Sequence, residues 1–376
     1  MSELNDKIIT SSISTVADLS KKEFELRKAR VDIQHETLLK QKQELEGFRN
    51  FSLGIDGDKV EKLKKENNEY IGLAKNSGVF LSNSDFQGLV PLFARNLIFV
   101  GAQSGEGKST LTANLAWQFL RQNKRVLVIT NEEHPTDVLN RIVCLNKGWG
   151  YYDHTQITDE QRVEFDRLYP VLLQRLEVID DMYNGVGGLT TTVEGIQTIL
   201  ESLQNSAVQY DIIIVDYFQN INSSNKNSSA STYEILHQVG RLFDQFKTHY
   251  NAPIIMLGTL KTITKDDDTT PFKERIEGRK SIYNFSTCCI EVKADKQNSR
   301  SEWIFQKSRF PRSIGVKIKT GFDKGKYVPY NAEFARSIEA SNTAKLVNGV
   351  VKNDAKKLQD LMAAFKGVKT IEPGND

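Results

Sequence analysis

A chain of 376 residues, 39% hydrophobic and 26% charged, is long enough for one large domain with appendages. No apolar run reaches membrane-spanning length and the amino terminus is polar, so the sequence predicts no spanning segment, no secretory leader and no membrane partner. The net charge of +2 excludes a strongly basic global field, so any nucleic-acid contact has to come from local basic patches. Cys144, Cys288 and Cys289 have neither C-x-x-C nor zinc-ligand spacing, which predicts a reduced, cytoplasmic setting.

Residues 1–75 stand apart from the rest. Lys21 to Phe51 is charged, lacks Pro, and has no Gly before Gly47. It reads as a long helix with a patchy apolar stripe of Phe24, Leu38, Leu39, Leu45 and Phe48. After Gly54 and Gly57, Lys59 to Ala74 reads as a second charged helix. Such helices bury little alone. This helical N-terminal extension either packs on another subunit or partner, or stays a solvated arm.

From Val79 the pattern turns apolar and alternating. Predicted strands are Asn96–Val100, Arg125–Thr130, Leu176–Ile179, Asp211–Val215, Pro253–Gly258, Thr287–Lys293, Glu302–Lys307 and Gly315–Thr320. Predicted helices are 108–122, 136–147, 158–169, 191–204 and 232–248. Strands alternating with helices mean βαβ units and a parallel sheet, and the later, closely spaced strands pair antiparallel at one edge. The class is therefore α/β, with the main domain at 76–335. Residues 336–376 form a tail with one short amphipathic helix, Ala355–Phe365. Asn220–Ser231 and Thr262–Lys280 read as loops by composition.

Three stretches carry chemistry. Ala102-Gln103-Ser104-Gly105-Glu106-Gly107-Lys108-Ser109-Thr110 follows a strand and opens a helix, the context of a phosphate-binding loop. Its glycines let successive N–H groups turn toward one anion, and the helix adds its positive end. Lys108 can reach the β- and γ-phosphates, and the Ser109 hydroxyl can bind Mg²⁺. Tyr210-Asp211-Ile212-Ile213-Ile214-Val215-Asp216 is a buried strand that delivers a carboxylate at its C-terminal end, where ligands sit in open α/β sheets. Asp216 can then share the Mg²⁺ shell with Ser109. Val128-Ile129-Thr130-Asn131-Glu132-Glu133 is a second buried strand ending in two carboxylates. Either Glu can hold an attacking water, or the pair can serve as acidic residues opening a helix at Pro135.

The order of these motifs, with Leu139 and Arg141 beyond Glu132, Asp216-Tyr217-Phe218-Gln219 as the most specific string, and Lys307-Ser308-Arg309 late in the chain, resembles the ATPase domain of DnaB-like replicative DNA helicases. These belong to the RecA-like motors. Gln87-Gly88-Leu89-Val90-Pro91-Leu92 is also similar to the family's entry segment, and the resemblance runs over about residues 80 to 330. It implies a RecA-like phosphate-loop core, ATP and Mg²⁺ as cofactors, a homo-oligomer of hexameric form, single-stranded DNA as track, and a primase or helicase loader as partner. The nucleotide then contacts Ala102, Gly105, Gly107, Lys108, Ser109, Thr110, Asp216 and Gln219. The family's Ser-Leu-Glu string falls on Thr130-Asn131-Glu132, which picks Glu132 over Glu133 as catalytic glutamate. Lys307 and Arg309 match a Lys-x-Arg pair that acts across a subunit interface. Two departures stand out. Gly258-Thr259-Leu260 replaces the family's Ser-Gln-Leu, removing a γ-phosphate-sensing Gln, and the family's Ser-Asp-Leu-Arg loop is only loosely echoed around Glu274 to Ser281.

The Asn/Ser loop after Asp216 and the basic loop after Leu260 leave the nucleotide end of the sheet, and in a ring they face the central channel. Lys261, Lys265, Lys273, Arg275, Arg279 and Lys280 can track DNA phosphates there, unless Asp266 to Asp268 make it an ordinary charged loop. The expected activity is an ATP-driven, ring-forming DNA helicase. The alternatives are a RecA-like recombination ATPase, or a nucleotide-switched loading protein that does not unwind.

Overall fold

Strands buried on both faces read as near-continuous apolar runs, and helices then cover both faces. That is the arrangement in the computed structural model of the chain, which describes residues 57–75, 78–81, 83–150, 156–182, 185, 187–222, 231–262, 270–276, 280–296 and 298–341. The predicted helices Lys21–Phe51 and Ala355–Phe365 lie outside the described residues. The chain divides into two compact units, Met1–Asn67 and Asn68–Asp376. Helix α1 (Gly57–Lys75) carries the predicted second charged helix.

The described strands are β1 (Leu97–Gln103), β2 (Val126–Thr130), β3 (Leu176–Ile179), β4 (Ile212–Asp216), β5 (Ile254–Leu260), β6 (Cys288–Asp295), β7 (Arg300–Ser308), β8 (Lys317–Asp323) and β9 (Lys326–Pro329). They form one sheet in the order β3-β2-β4-β5-β1-β6-β7-β8-β9. The pairs from β3 through β6 are parallel, and β6–β7, β7–β8 and β8–β9 are antiparallel. The predicted α/β class with antiparallel edge strands is therefore the observed one.

The first helices are α2 (Lys108–Arg121), α3 (Pro135–Lys147) and α4 (Asp159–Leu172). They are followed by α5 (Val193–Asn205) and α6 (Thr232–His249). One face of the sheet packs Ile98, Val100 and Ile214 against Leu115 and Phe119 of α2 and Ile142 of α3. The other packs Phe99, Ile213 and Met256 against Ile196 of α5 and Val239 and Phe243 of α6. Alternate residues of one strand thus serve opposite cores, as the period of two requires. Local chemistry sets the helix starts. Ser231 and Glu234 form a capping box on α6, Thr158 and Gln161 another on α4, and Pro135 occupies the first turn of α3.

The stretch Thr262–Lys280, a loop by composition, holds more structure than its polarity suggests. Helix α7 (Phe272–Arg275) interrupts it, and α8 (Lys280–Phe285) begins at its end. Ile276 bridges back to Leu260 of β5. Phe272 and Ile276 are buried in the second core, so apolar burial overrides the polar composition. Strand β9 and the helix at residues 332–341, α9, are additions to the predicted elements.

Toward the C-terminal ends of β1 and β5, ring and backbone come very close. A Cβ on Gly258 would lie 2.5 Å from Phe99 Cε2 and 3.0 Å from Gln219 Oε1, and one on Gly101 would lie 2.8 Å from Leu260 Cδ2. Glycine at these positions lets Phe99 and Leu260 fill the space above the strands. Gly258→Ala should therefore overpack this corner and cost about 1–3 kcal/mol, read as a lower urea midpoint at unchanged slope. A neutral substitution would mean the corner is looser than these distances require.

Candidate functional site

The phosphate loop joins β1 to α2. Gly105 and Gly107 have φ of 77° and 90°, left-handed conformations that glycine adopts without penalty. Gly107 caps α2, so the helix begins at Lys108. The Glu106 carboxylate accepts from the Gln103 amide at 2.7 Å and from the Ala294 amide at 3.4 Å, tying the loop to itself and to β6. Burial raises the pKa of this carboxyl against those two bonds. Ala102 is buried within β1. Gly105, Gly107 and Thr110 border a cavity of about 340 Å³ that extends to Arg300, Phe322 and Tyr327.

Asp216 ends β4 and is 1% exposed. Its Oδ2 accepts from the Thr112 hydroxyl at 2.6 Å, and its Oδ1 is buried with no hydrogen-bond partner among the described residues. Burial pushes the Asp216 carboxyl up to about 7, opposed by Thr112 and Lys108 and reinforced by the negative charges of Glu133 and Glu132. Thr112 lies one helical turn beyond Ser109. It is absent from the residues singled out by sequence, although the i, i+3 spacing from Ser109 is a usable signal. The Asp216–Tyr217 peptide is cis, and Lys108 Nζ stands 5.7 Å from the centroid of the Tyr217 ring.

The two glutamates after β2 separate cleanly. Glu132 is exposed, whereas Glu133 is half-buried. Glu133 Oε1 accepts from Arg141 Nη2 at 2.8 Å, and Oε2 is buried with no hydrogen-bond partner among the described residues. Burial raises the Glu133 carboxyl, while Arg141 and the nearby Ser109 hydroxyl favour its ionised form. Glu133, the neighbour of the Glu132 singled out by sequence register, thus stands beside Ser109. Asn131 fixes this turn. Its backbone N–H donates to Asp216 O at 3.0 Å and its Nδ2 to Tyr217 O at 2.8 Å, joining the ends of β2 and β4.

Gln219 faces β5. Its Nε2 donates to Thr259 O and its Oε1 accepts from Thr259 N, both at 2.8 Å. The Gln219 amide therefore grips the backbone at the position where the family's Ser-Gln-Leu string would place a Gln. Hard oxygen donors with spare lone pairs, Asp216 Oδ1 and the Ser109 hydroxyl, fit a bound Mg²⁺.

The late Lys-x-Arg splits in two. Lys307 is half-buried, and its Nζ donates to Tyr283 O and, at 3.2 Å, to Asn284 O at the end of α8. Burial lowers this ammonium, and the positive Arg309 and Lys247 push it the same way. Arg309 is exposed just past the end of β7. Lys307 is thus engaged within its own subunit, while Arg309 projects outward.

The predicted basic track also divides. Lys261 and Lys273 are exposed. Arg275 is buried in an ion pair with Glu291 and does not reach solvent, which removes it from a set of surface phosphate contacts. Lys265, Arg279 and the side chain of Lys280 lie outside the described residues.

A half-buried carboxylate held by an arginine beside a serine hydroxyl can orient and deprotonate a water. Glu133→Gln should keep ATP bound and slow steady-state hydrolysis by about 10²- to 10⁴-fold, with Glu132→Gln within about tenfold of wild type. The reverse ranking would assign the role to Glu132, as the sequence register does.

A family model described as the DnaB-like helicase C terminal domain matches residues 83–309. No curated protein sequence matches the chain. Among solved structures, one described as an ATPase domain is 14% identical, with a TM-score of 0.55, over 74% of this chain and all of that one. A DnaB-like replicative helicase, solved with its interactions with primase, is 14% identical, with a TM-score of 0.57, over 78% of this chain and 71% of that one. These likenesses agree with the fold, and the phosphate loop, Asp216 and Arg309 all fall inside the matched span. The chain belongs to the DnaB-like helicase C-terminal domain family.

Proposed function

We propose that the chain is an ATP-driven DNA helicase that assembles as a hexameric ring, translocates on single-stranded DNA and unwinds duplex DNA in replication. The observation that carries this reading is the joining of Asp216, Glu133 and the phosphate loop at one end of the parallel strands, with Arg309 exposed beyond β7. Loop N–H groups and Lys108 bind the triphosphate, and the cavity bordered by Thr110 and Tyr327 takes the base. Mg²⁺ supplies charge neutralisation of the phosphates when bound at Ser109 and Asp216. Glu133 orients the water and accepts its proton. Arg309 presents its guanidinium to a neighbour's γ-phosphate, where negative charge builds in the transition state.

Lys261 and Lys273, with Lys265, Arg279 and Lys280, form the proposed DNA track. Residues 1–75 serve as an oligomerisation or partner-binding arm, residues 76–335 as the motor and 336–376 as a tail. A primase or a helicase loader is the proposed protein partner. Among the described residues no helix is long and apolar enough to cross a membrane. The free, buried thiols of Cys144, Cys288 and Cys289 support a reducing, cytoplasmic setting.

The test uses two inactive variants. Lys108→Ala should lose phosphate binding and turnover. Arg309→Ala should bind nucleotide normally and hydrolyse slower by about 10³-fold or more. Mixing the two should restore some hydrolysis, since one interface then combines an intact loop with an intact Arg309. Doping wild type with Arg309→Ala should lower the rate per wild-type subunit. Simple linear dilution, in oligomers verified as mixed by native mass measurement, rejects the trans role and the ring motor built on it.

A further inference from the structure

Arg275 and Glu291 are 5% and 2% exposed, and Arg275 Nη2 stands 2.6 Å from Glu291 Oε2. Gln306 Nε2 donates to the same oxygen at 2.6 Å. Arg275 Nε and Nη1 are buried with no hydrogen-bond partner among the described residues. A charge pair this deep loses nearly as much in desolvation as it gains by attraction, so stability alone is a weak reason for it. Its location suggests another.

Arg275 ends α7, on the limb that closes the basic segment leaving β5. The Lys261 amide donates to Arg275 O at 2.7 Å, and Leu260 bridges Ile276. Glu291 lies opposite Gly101 in the β1–β6 ladder, two residues before Gln103. Gln103 and Ala294 both donate to Glu106 of the phosphate loop, and the negative charge of Glu291 is felt at Glu106. The same limb touches β1 again through Phe272, whose ring centroid is 6.3 Å from that of Phe99.

We propose that Arg275 and Glu291 are positioning residues that lock the closing limb of the basic segment onto the strands carrying the phosphate loop, and so couple DNA on that segment to hydrolysis. The inference rests on the DNA-track reading above. Arg275 acts through Glu291 and touches neither DNA nor nucleotide. Movement of the limb is transmitted to β6 and from there to Glu106, because an ion pair buried at this depth separates only at high cost.

The test is the double variant Arg275→Met with Glu291→Leu, which replaces the pair by apolar side chains of similar length, an exchange that buried ion pairs often tolerate. Hydrolysis is measured without DNA and with saturating oligo-dT, alongside DNA affinity at several salt concentrations and thermal melting. The expected result is a melting temperature and DNA-free rate close to wild type, unchanged affinity and salt slope, and DNA stimulation reduced by roughly five- to thirtyfold. Full stimulation in the folded double variant overturns the proposal. Weaker DNA binding with a flatter salt slope also overturns it, since Arg275 would then be a phosphate contact. Wild type that neither binds oligo-dT nor responds to it removes the DNA-motor reading and this inference together, whereas a responsive wild type with an equally responsive variant removes the inference alone. If the double variant does not fold, amide exchange on wild type decides. A non-hydrolysable ATP analogue should slow exchange at the Lys261 amide severalfold, and unchanged exchange rejects the coupling.

Discussion

Three carboxylates share one end of the sheet, and the rest of the site is arranged around the cost of keeping them there. Asp216 is buried and feels both Glu133 and Glu132, which is why its carboxyl rises to about 7. The chain offers only partial relief. Arg141 neutralises Glu133, Thr112 donates to one oxygen of Asp216, and Lys108 supplies a positive charge from the loop. The uncompensated remainder, Asp216 Oδ1, is an oxygen that would suit a divalent cation bound with a triphosphate. Parallel β2 and β4, joined in register from Val126–Ile212 to Thr130–Asp216, force this crowding because both strands end at the same level. Asn131 then holds the two ends together.

Around that cluster, contacts along β1, β5 and β6 tie the loop and the neighbouring strand ends together. Gly101 and Gly258 let Leu260 and Phe99 pack where any side chain on the strand would collide. Glu106 ties the phosphate loop to the end of β6, and Gln219 clamps Thr259 at the end of β5. The basic segment leaves from one of these strands and is fastened near the other. The far edge is built differently. Lys307 and Lys247 both donate to carbonyls at the end of α8, a cation arrangement that favours a helix C-terminus. That leaves Arg309 as the outward cation of the late Lys-x-Arg.

Much of this is legible in the sequence, and the limits are instructive. The phosphate loop, Asp216 and the parallel core rest on local signals: glycines at fixed offsets, apolar runs and alternating helices. Strand Leu176–Ile179 matches its predicted bounds to the residue. What the sequence hides depends on contacts far apart in the chain. The difference in burial between Glu132 and Glu133 goes with Arg141, on the next helix, which pairs with Glu133. Arg275 reads as a surface cation because its neighbours are polar, yet its partner Glu291 sits in an otherwise apolar strand, Cys288-Cys289-Ile290-Glu291-Val292. Burial of Phe272 and Ile276 supplies a helix and a bridge inside a stretch that composition alone reads as loop. The inward turn of Lys307 likewise depends on where α8 ends.

The central claim is that nucleotide chemistry at this cluster drives mechanical work on DNA. The direct measurement is release of a labelled strand from a forked duplex by the purified wild-type chain, followed with ATP, with a non-hydrolysable analogue and without nucleotide. The account predicts strand release only with ATP, at a rate that follows hydrolysis. A chain that binds the fork and hydrolyses ATP on it, yet leaves the duplex intact, would contradict the helicase reading and leave a DNA-dependent ATPase in its place.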